Sequence, residues 1–222
     1  MSAVAVTPGR RVGPVILEGR HARLGPLTPV HAPALVEAAS GRRDSYGFTV
    51  VPGTLAEART YIESALADQA AGRALPFATL ARAAGRVIGS TRFGNIEFWT
   101  WPADSPHARP DGTPDVVEIG WTWLAADAQR TAVNTEAKLL MLTHAFETWR
   151  VRAVKLNTDA RNARSRAAIE RIGARFDGVL RAHRPASDGG IRHTAAFSLL
   201  AEEWPAARAK LRARLTEGHH TP

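Results

Sequence analysis

Glu118 is the only charged residue in the apolar segment "VVEIGWTWL". Because side chains alternate along a strand, Glu118 and Thr122 are expected on one face, with Trp121 and Trp123 on the opposite, core face. A carboxylate is costly to bury, and burial would raise its pKa toward that of a useful general base. Glu118 is therefore the predicted base, and the alternative is a structural glutamate paired with an arginine. Weaker candidates are Glu97, Asp115 and His144.

The segment "AQRTAVNTEAK" joins this strand to an apolar helix and looks like a phosphate-binding loop without its glycines. At a helix N-terminus, free N–H groups and the helix dipole both favour an anion. Glycine is not required there if the backbone stays in the helical region. The alternative is an ordinary strand-to-helix turn capped by Asn134 or Thr131. The predicted backbone donors are Arg130, Thr131, Ala132, Val133, Asn134 and Thr135, with side-chain hydrogen bonds from Arg130, Asn134 and Thr135.

A second helix, "NARSRAAIERIG", has a good N-cap in Asn162 and a good C-terminal residue in Gly173. Between residues 161 and 192 there are eight arginines and three acidic residues, within a chain of net charge +8. Such a balance favours an anionic partner. A nucleic acid is the less favoured partner, because the sequence lacks basic residues interleaved with aromatic ones.

Composition excludes several kinds of chemistry. The 222 residues contain no cysteine, which excludes disulfides, thiolate metal sites and cysteine nucleophiles, and no metal site is predicted. No apolar run approaches the roughly 18 residues of a membrane span, and the N-terminus does not have the pattern of a secretory signal. A reducing cytoplasm suits this composition.

The order of predicted elements positions these residues in one α/β domain. It is one strand, two helices, three strands, a helix, a strand, a helix, two strands and a last helix, which predicts a mixed sheet of about seven strands flanked by helices. The second helix begins with a Thr54–Glu57 capping box. We expect one domain over residues 19–215, an N-terminal extension over 1–18 and a C-terminal tail over 216–222.

Three segments, taken together, resemble the GCN5-related N-acetyltransferases, and in detail the RimJ/RimL-like branch that acetylates ribosomal-protein N-termini. They are "VEIGWTW", "QRTAVNTEAKLLMLTHAFE" and "LNTDARNARSRAAIERIGARFDGVLR", in the order and spacing of the family. The resemblance covers nearly the whole chain. It implies a mostly antiparallel sheet with splayed central strands, and transfer of an acetyl group from acetyl-CoA to an amine, with coenzyme A released.

The resemblance also implies which residues bind acetyl-CoA. The family's phosphate loop has the pattern Q/R-x-x-G-x-G/A, and Gln129 matches its first position. Ala132 stands where glycine is usual, and Asn134 stands where glycine or alanine is usual. The family's N-x-x-S motif matches Asn162, which would contact the pantetheine arm, and Ser165, which would lie near the sulfur. Arg164 could meet phosphates. A backbone N–H near Trp123–Leu124, where the central strands splay, would hold the thioester carbonyl oxygen.

Many family members have a tyrosine that acts as the general acid where this chain has Ile169. The two tyrosines of this chain, Tyr46 and Tyr61, lie far upstream of that position. The resemblance gives the acid role to Ser165; alternatively the CoA thiolate leaves unprotonated. Trp99 and Trp101, beside a long loop, could stack on a planar or cationic acceptor or could cover a core edge. The acceptor is expected to be a peptide or small-molecule amine. A homodimer is left open, and the alternative function is an acyl-CoA sensor without turnover.

Overall fold

A computed structural model describes residues 12–102, 104–109 and 112–217. Within them, eight strands form one sheet with helices on both faces, which confirms the predicted fold class. The strands are β1 (Leu17–Glu18), β2 (Ala22–Pro26), β3 (Leu75–Ala81), β4 (Arg86–Glu97), β5 (Val116–Leu124), β6 (Ala153–Asp159), β7 (Arg175–Pro185) and β8 (Ile191–Leu200). The helices are α1 (Ala32–Ala39), α2 (Leu55–Ala70), α3 (Ala132–Thr143), α4 (Ala163–Ile172) and α5 (Trp204–Thr216).

The strand that sequence reasoning missed is β1, whose two residues are too few to show a periodic pattern. It lies inside the predicted N-terminal extension and pairs with β2. The Glu136 carboxylate of α3 fixes this hairpin by accepting from the backbone N–H groups of Arg20, His21 and Ala22 at 2.9, 2.5 and 2.6 Å. Residues 1–11 of the extension and 218–222 of the tail lie outside the described residues.

The strand order is β1-β2-β3-β4-β5-β6-β8-β7, and among these neighbours β5 and β6 form the parallel pair. Their pairing runs from Val116–Ala153 to Glu118–Lys155 and stops there. Both strands continue, β5 to Leu124 and β6 to Asp159, so they diverge. The sheet therefore contains a V-shaped cleft whose apex lies at Glu118.

Adjacent residues of β4 show which helices cover each face. The Phe93 ring packs against His144 and Trp149, just after α3, with centroids 6.2 and 4.7 Å apart. The Arg92 guanidinium lies 5.6 Å from the ring centre of Tyr61 on α2. Because neighbours in a strand point to opposite faces, α2, with α1 packed on it, covers one face and α3 the other. Large apolar side chains such as Phe93 are fully buried between these layers, and each contributes about 1.5–3 kcal/mol.

The helix ends follow local chemistry. Thr54 caps α2 by accepting from the Glu57 N–H at 3.2 Å, but the Glu57 carboxylate bonds to the N–H of Gly53 rather than that of Thr54. Asn162 caps α4, and Gly173 ends it with φ 106°, a conformation that favours glycine. The apolar helix expected after the segment "AQRTAVNTEAK" is α3 followed by one π-helical turn, His144–Thr148.

A bulge in β5 makes one sequence expectation wrong. Trp121 has φ 50°, which is rare for a bulky residue and breaks the alternation of side chains. Its ring lies over Gly94, the partner of Glu118, so Trp121 shares the face of Glu118. Thr122 faces α3 instead, where its hydroxyl accepts from Lys138 Nζ at 2.7 Å. The predicted faces of Trp121 and Thr122 are therefore exchanged.

Candidate active site

Glu118 sits at the apex of the cleft and is only 6% exposed. One carboxylate oxygen, Oε2, accepts from the side-chain amides of Asn95 at 2.7 Å and Asn157 at 2.9 Å. The other oxygen, Oε1, would lie 3.1 Å from a Cβ placed at Gly120, so residue 120 must be small. No arginine lies within ion-pair distance of Glu118 in the described ranges, although the charge of Arg192 interacts with its carboxylate from further away. The direct hydrogen-bond donors to the carboxylate are therefore the two neutral amides.

The weaker base candidates are engaged elsewhere. Glu97 binds Lys155 Nζ at 2.6 Å, and Asp115 binds Arg152 Nε at 3.0 Å. Burial alone would raise the pKa of Glu97, but hydrogen bonds from Lys155 and Trp99 outweigh it and hold that pKa below its usual value. Burial lowers the pKa of His144, whose ring packs on aromatic side chains. These contacts leave Glu118 as the carboxylate at the cleft apex.

The loop between β5 and α3 shows how a chain without the usual glycines builds this turn. Thr131 caps α3: its hydroxyl accepts from the Val133 N–H at 3.4 Å and donates to the Ala128 carbonyl at 2.8 Å. Ala132 and Asn134 are already helical, so neither position requires glycine. The left-handed conformation falls on Arg130, with φ 62°. Of the two caps considered from the sequence, Thr131 and Asn134, the structure confirms Thr131. The turn still places the N-terminus of α3 beside the cleft.

The first turn of α3 supplies the donors that an anion requires. Four backbone N–H groups precede the first hydrogen bond within the helix: those of Thr131, Ala132, Val133 and Asn134. Among them, the Thr131 side chain accepts only from the Val133 N–H. Thr135 begins the helical bonding, so its contribution would come from its side chain. Asn134 Oδ1 is buried without a hydrogen-bond partner among the described residues. A buried, unpaired polar atom at this position marks a place for a polar ligand.

Side chains tie this loop to the rest of the site. Gln129 Nε2 donates to the Leu124 carbonyl at 3.0 Å and to Ser45 Oγ at 2.9 Å. Arg164 donates to Gln129 Oε1 at 3.3 Å and to the Ser45 carbonyl at 2.7 Å. The Tyr46 hydroxyl donates to the Leu124 carbonyl at 2.9 Å. Gln129 and Arg164, both predicted to bind the cofactor, therefore hold together the loop, the start of α4 and the connection between α1 and α2.

The N-x-x-S motif lies at the start of α4. Asn162 Oδ1 accepts from the Ser165 N–H at 3.0 Å, which is the N-cap contact expected from the sequence. Ser165 is half-buried on the first turn. Ile169, which replaces the tyrosine of many family members, is buried at 7% exposure. Position 169 therefore supplies no general acid. A tyrosine does lie at the cleft, Tyr46, whose hydroxyl bonds to the Leu124 carbonyl at the end of β5.

The two predicted acceptor tryptophans lie at the N-terminal end of β5, away from the phosphate loop. Trp99 is 45% exposed, and its backbone N–H donates to the Asp115 carboxylate at 2.9 Å. Trp101 packs 5.6 Å from the Trp99 ring and lies under the Arg152 guanidinium at 4.8 Å. Trp101 thus covers this end of the sheet, whereas Trp99 presents an open ring.

Four residues near the cleft were missed by sequence reasoning: Asn95, Asn157, Trp121 and Tyr46. Each reaches the site through strand register, a bulge or a contact distant in sequence. In the part of the chain described, no group of three or more His, Asp or Glu residues could hold a metal ion. None of the described helices is both long and apolar enough to span a bilayer.

The comparisons with known proteins agree with this geometry. The family model for the acetyltransferase (GNAT) domain matches residues 21–175. A GCN5-related N-acetyltransferase from Brucella melitensis is 29% identical with a TM-score of 0.77, over 95% of this chain and 90% of that one. A protein from T. thermophilus assigned as an acetyltransferase is 33% identical with a TM-score of 0.73, over 92% of this chain and 98% of that one.

More distant likeness extends to the branch expected from the sequence. RimJ of Mycobacterium smegmatis, solved with CoA-disulfide, is 23% identical with a TM-score of 0.67, over 90% of this chain and 92% of that one, and it supports the fold. No curated protein matches the sequence. The family match covers most of the chain and agrees with the cleft, the phosphate loop and the buried glutamate. The chain therefore belongs to the GNAT family and is an acyl-CoA-dependent acetyltransferase.

Proposed function

We propose that this enzyme transfers an acetyl group from acetyl-CoA to a primary amine, of a protein N-terminus or a small molecule, by direct attack. The observation that carries the proposal is Glu118, a carboxylate at the cleft apex held by two amides and without a cationic partner among the described residues. Glu118 takes the proton of the acceptor ammonium. The neutral amine nitrogen would then bond to the acetyl carbon as the carbon–sulfur bond breaks, and the second amine proton would pass to the leaving CoA thiolate or to solvent.

The residues of the phosphate loop fit a pyrophosphate. The unbonded N–H groups at the start of α3 point along the helix axis, where the helix dipole favours negative charge. Arg130, Thr131, Ala132 and Val133 form the backbone of the cradle, and Asn134 and Thr135 add side-chain contacts. Asn134 would contact the phosphates through its side-chain amide Nδ2, because its buried, unpaired Oδ1 can only accept a hydrogen bond. Bound acetyl-CoA would supply the thioester, with Asn162 contacting its pantetheine arm.

The edge of β5 beside the cleft can stabilise developing charge. The Leu124 carbonyl accepts from Tyr46 and Gln129, which lie on the side of β5 away from β4. In an extended strand, the N–H and C=O of one residue point to the same side. The Leu124 N–H, following Trp123, is therefore our candidate donor to the thioester oxygen. Ser165 is the candidate acid for the thiolate.

The acceptor should approach from the α2 face, because Glu118 lies on that face. Trp121 and Trp99 provide aromatic surface there or at its edge. The acceptor amine belongs to a protein N-terminus, as the sequence resemblance to the RimJ/RimL-like branch implies, or to a small molecule. The cysteine-free composition suits the cytoplasm.

A second candidate function is an acyl-CoA sensor of the same fold. The observation that favours it is Ile169, a buried apolar residue where many relatives carry an acid. Both functions require cofactor binding, so turnover distinguishes them.

Two measurements test the proposal. Acetyl-CoA at 100 times its Kd should stabilise the folded chain by about 2.7 kcal/mol, visible as a higher Tm. Release of free thiol across an amine library should then identify the acceptor. An unchanged Tm at millimolar acetyl-CoA contradicts both candidates. A raised Tm without thiol release supports the sensor.

A further inference from the structure

Two arginines face each other on the hairpin beside the cleft. Arg184 of β7 pairs directly with Arg192 of β8 in the antiparallel ladder. Like charges at opposed positions destabilise a sheet. In the described ranges, no carboxylate lies within ion-pair distance of either guanidinium. The repulsion between them is therefore offset only in part, by the more distant carboxylates of Asp159 and Glu118.

The surroundings of Arg192 are polar and organised. Arg192 is half-buried, and its Nε donates to Thr194 Oγ1 at 3.0 Å. The same hydroxyl lies 3.0 Å from His183 Nδ1. Thr194 is fully buried, so it fixes both the arginine and the histidine. Burial, and then the charge of Arg184, lower the pKa of Arg192, and the carboxylates of Asp159 and Glu118 oppose that change.

The acid nearest in the sheet does not neutralise the pair. Asp159 pairs with Thr194 across β6 and β8, but its carboxylate is bonded to Arg161 at 2.8 and 3.0 Å. Arg161 is itself shared with Asp188 in the turn of the hairpin, at 2.8 Å. The positive charge of Arg184 and Arg192 therefore remains available to a ligand.

Strand register places this pair on the face of Glu118. Glu118 is opposite Lys155, and Asn157, two residues further along β6, reaches the Glu118 carboxylate. Asp159 follows at the same spacing and is opposite Thr194, which lies two residues from Arg192. The Arg192 side chain donates to the Thr194 hydroxyl, so it lies on the same face of the sheet as Glu118. Both arginines therefore border the surface that an acceptor amine must cross.

We propose that Arg184 and Arg192 form an anion-binding subsite for the acceptor, so that the favoured substrate is an amine that also carries a carboxylate or phosphate. This inference rests on the proposed acetyl transfer at Glu118. The acceptor's anion would bind the two guanidinium groups, which removes the repulsion between them, and its amine would reach Glu118. The phosphates of the cofactor bind elsewhere, at the start of α3.

The experiment compares matched pairs of amines that differ in one anionic group. The pairs are the tripeptide amides Ser-Glu-Ala and Ser-Gln-Ala, serine and serinamide, and phosphoethanolamine and ethanolamine. They distinguish a side-chain carboxylate, a main-chain carboxylate and a phosphate. In at least one pair, kcat/KM should be about tenfold or more higher for the anionic member, as charged hydrogen bonds allow.

Arg192→Gln and Arg184→Gln should each reduce that preference to within about threefold, chiefly through KM. Arg181→Gln is the matched control: it removes the same charge from the same strand, but Leu180 pairs with Thr194, so residue 181 points to the opposite face. The control should keep the preference. The Tm shift with acetyl-CoA should be the same in all three variants.

Three results would overturn the subsite. One is turnover of neutral members at rates equal to or above those of their anionic partners. Another is a preference that survives in both Arg184→Gln and Arg192→Gln. The third is loss of the acetyl-CoA shift in these variants, which would assign the arginines to the cofactor. Cofactor binding with no turnover of any amine instead removes the acetyl-transfer proposal, and the subsite falls with it.

Discussion

The ring of Trp121 occupies the space that a side chain at residue 94 would need: a Cβ at Gly94 would lie 2.3 Å from Trp121 Cζ3. Gly94 is the strand partner of Glu118. The Arg92 guanidinium stacks on the Trp121 ring from 4.8 Å. The bulge in β5 and the glycine in β4 thus bring an aromatic ring next to the proposed base.

Gly94→Ala should therefore displace Trp121 and impair use of the acceptor. We expect a destabilisation of about 1–3 kcal/mol from overpacking, with a raised acceptor KM and a normal response to acetyl-CoA. Chemical denaturation and steady-state kinetics measure the two effects. Gly25→Ala is a suitable control, because a Cβ at Gly25 meets nothing within 4 Å. Unchanged kinetics in Gly94→Ala would show that Trp121 does not line the acceptor path.

Glu118→Gln should keep the fold and remove the base. Glutamine retains an oxygen that can accept from Asn95 and Asn157, so stability should change little. Turnover should fall by about 10²–10⁴-fold, as for a lost general base. The loss should be largest at lower pH, where the acceptor is mostly ammonium and its deprotonation limits the rate. A rate that matches the unmodified enzyme across pH would exclude Glu118 from this role.

Arg130 carries the strain of the phosphate loop. Its φ of 62° suits glycine better than any other residue. Arg130→Gly should therefore be more stable than Arg130→Ala by about 1 kcal/mol, although both remove the same charge. Urea denaturation of the two variants measures the difference. Equal stabilities would mean that the positive φ costs nothing at this position.

Asn134 is expected to contact the cofactor through its side chain. Asn134→Ala removes an amide whose oxygen is buried and unpaired within the described part of the chain. Alanine also suits a helix better, so the protein alone should gain up to about 1 kcal/mol. The affinity of Asn134→Ala for acetyl-CoA, measured by calorimetry, should nevertheless fall. The affinity of Asn134→Gly should fall as well. Equal or tighter binding in both would show that Asn134 only fills the position.

Lys138 should make stability depend on alkaline pH. Its ammonium is buried against the hydroxyls of Thr122 and Thr91, and burial lowers its pKa from 10.5 to about 7. Between these values the unfolded chain binds a proton that the folded chain does not, so the free energy of unfolding rises with pH. Below about pH 7 both states are protonated and this contribution stops changing.

The total change across that window is at most about 5 kcal/mol. Lys138→Met should remove it and should stabilise the protein at neutral pH relative to the unmodified chain. The exposed Lys210→Met is the control and should keep the slope. The measurement is urea denaturation at several pH values between about 7 and 10. A slope that persists in Lys138→Met would assign it to other groups.

Local signals in the sequence predicted the local structure well. Asn162 and Gly173 bound α4 as expected, because a cap depends on a few neighbouring residues. Thr54 likewise starts α2. The apolar segment around Glu118 is indeed a central strand, and the mixed sheet follows from the mixture of elements. The caps are fixed by interactions within one or two turns of chain, and the strand is marked by its own run of apolar residues.

Features that depend on distant parts of the chain were not predictable. Trp121 itself has the positive φ, which is rare for a bulky residue, so alternation placed it on the wrong face. Tyr46 bonds to a residue 78 positions away. The amides around Glu118 come from two other strands whose register the sequence does not reveal. The candidate base could be named from sequence, but its surroundings required the fold.

The bonds around Gln129 have a further consequence for affinity. Ser45, Tyr46 and Arg164 hold the turn before α3 through contacts made entirely within the chain. A turn that is already ordered loses little conformational entropy when it receives a phosphate, so more of the interaction energy is kept as affinity. Preorganisation of this kind can compensate for a loop with Ala132 in place of glycine and Asn134 in place of glycine or alanine. Rigidity supplied by side chains thus takes the place of the close approach that glycine usually provides.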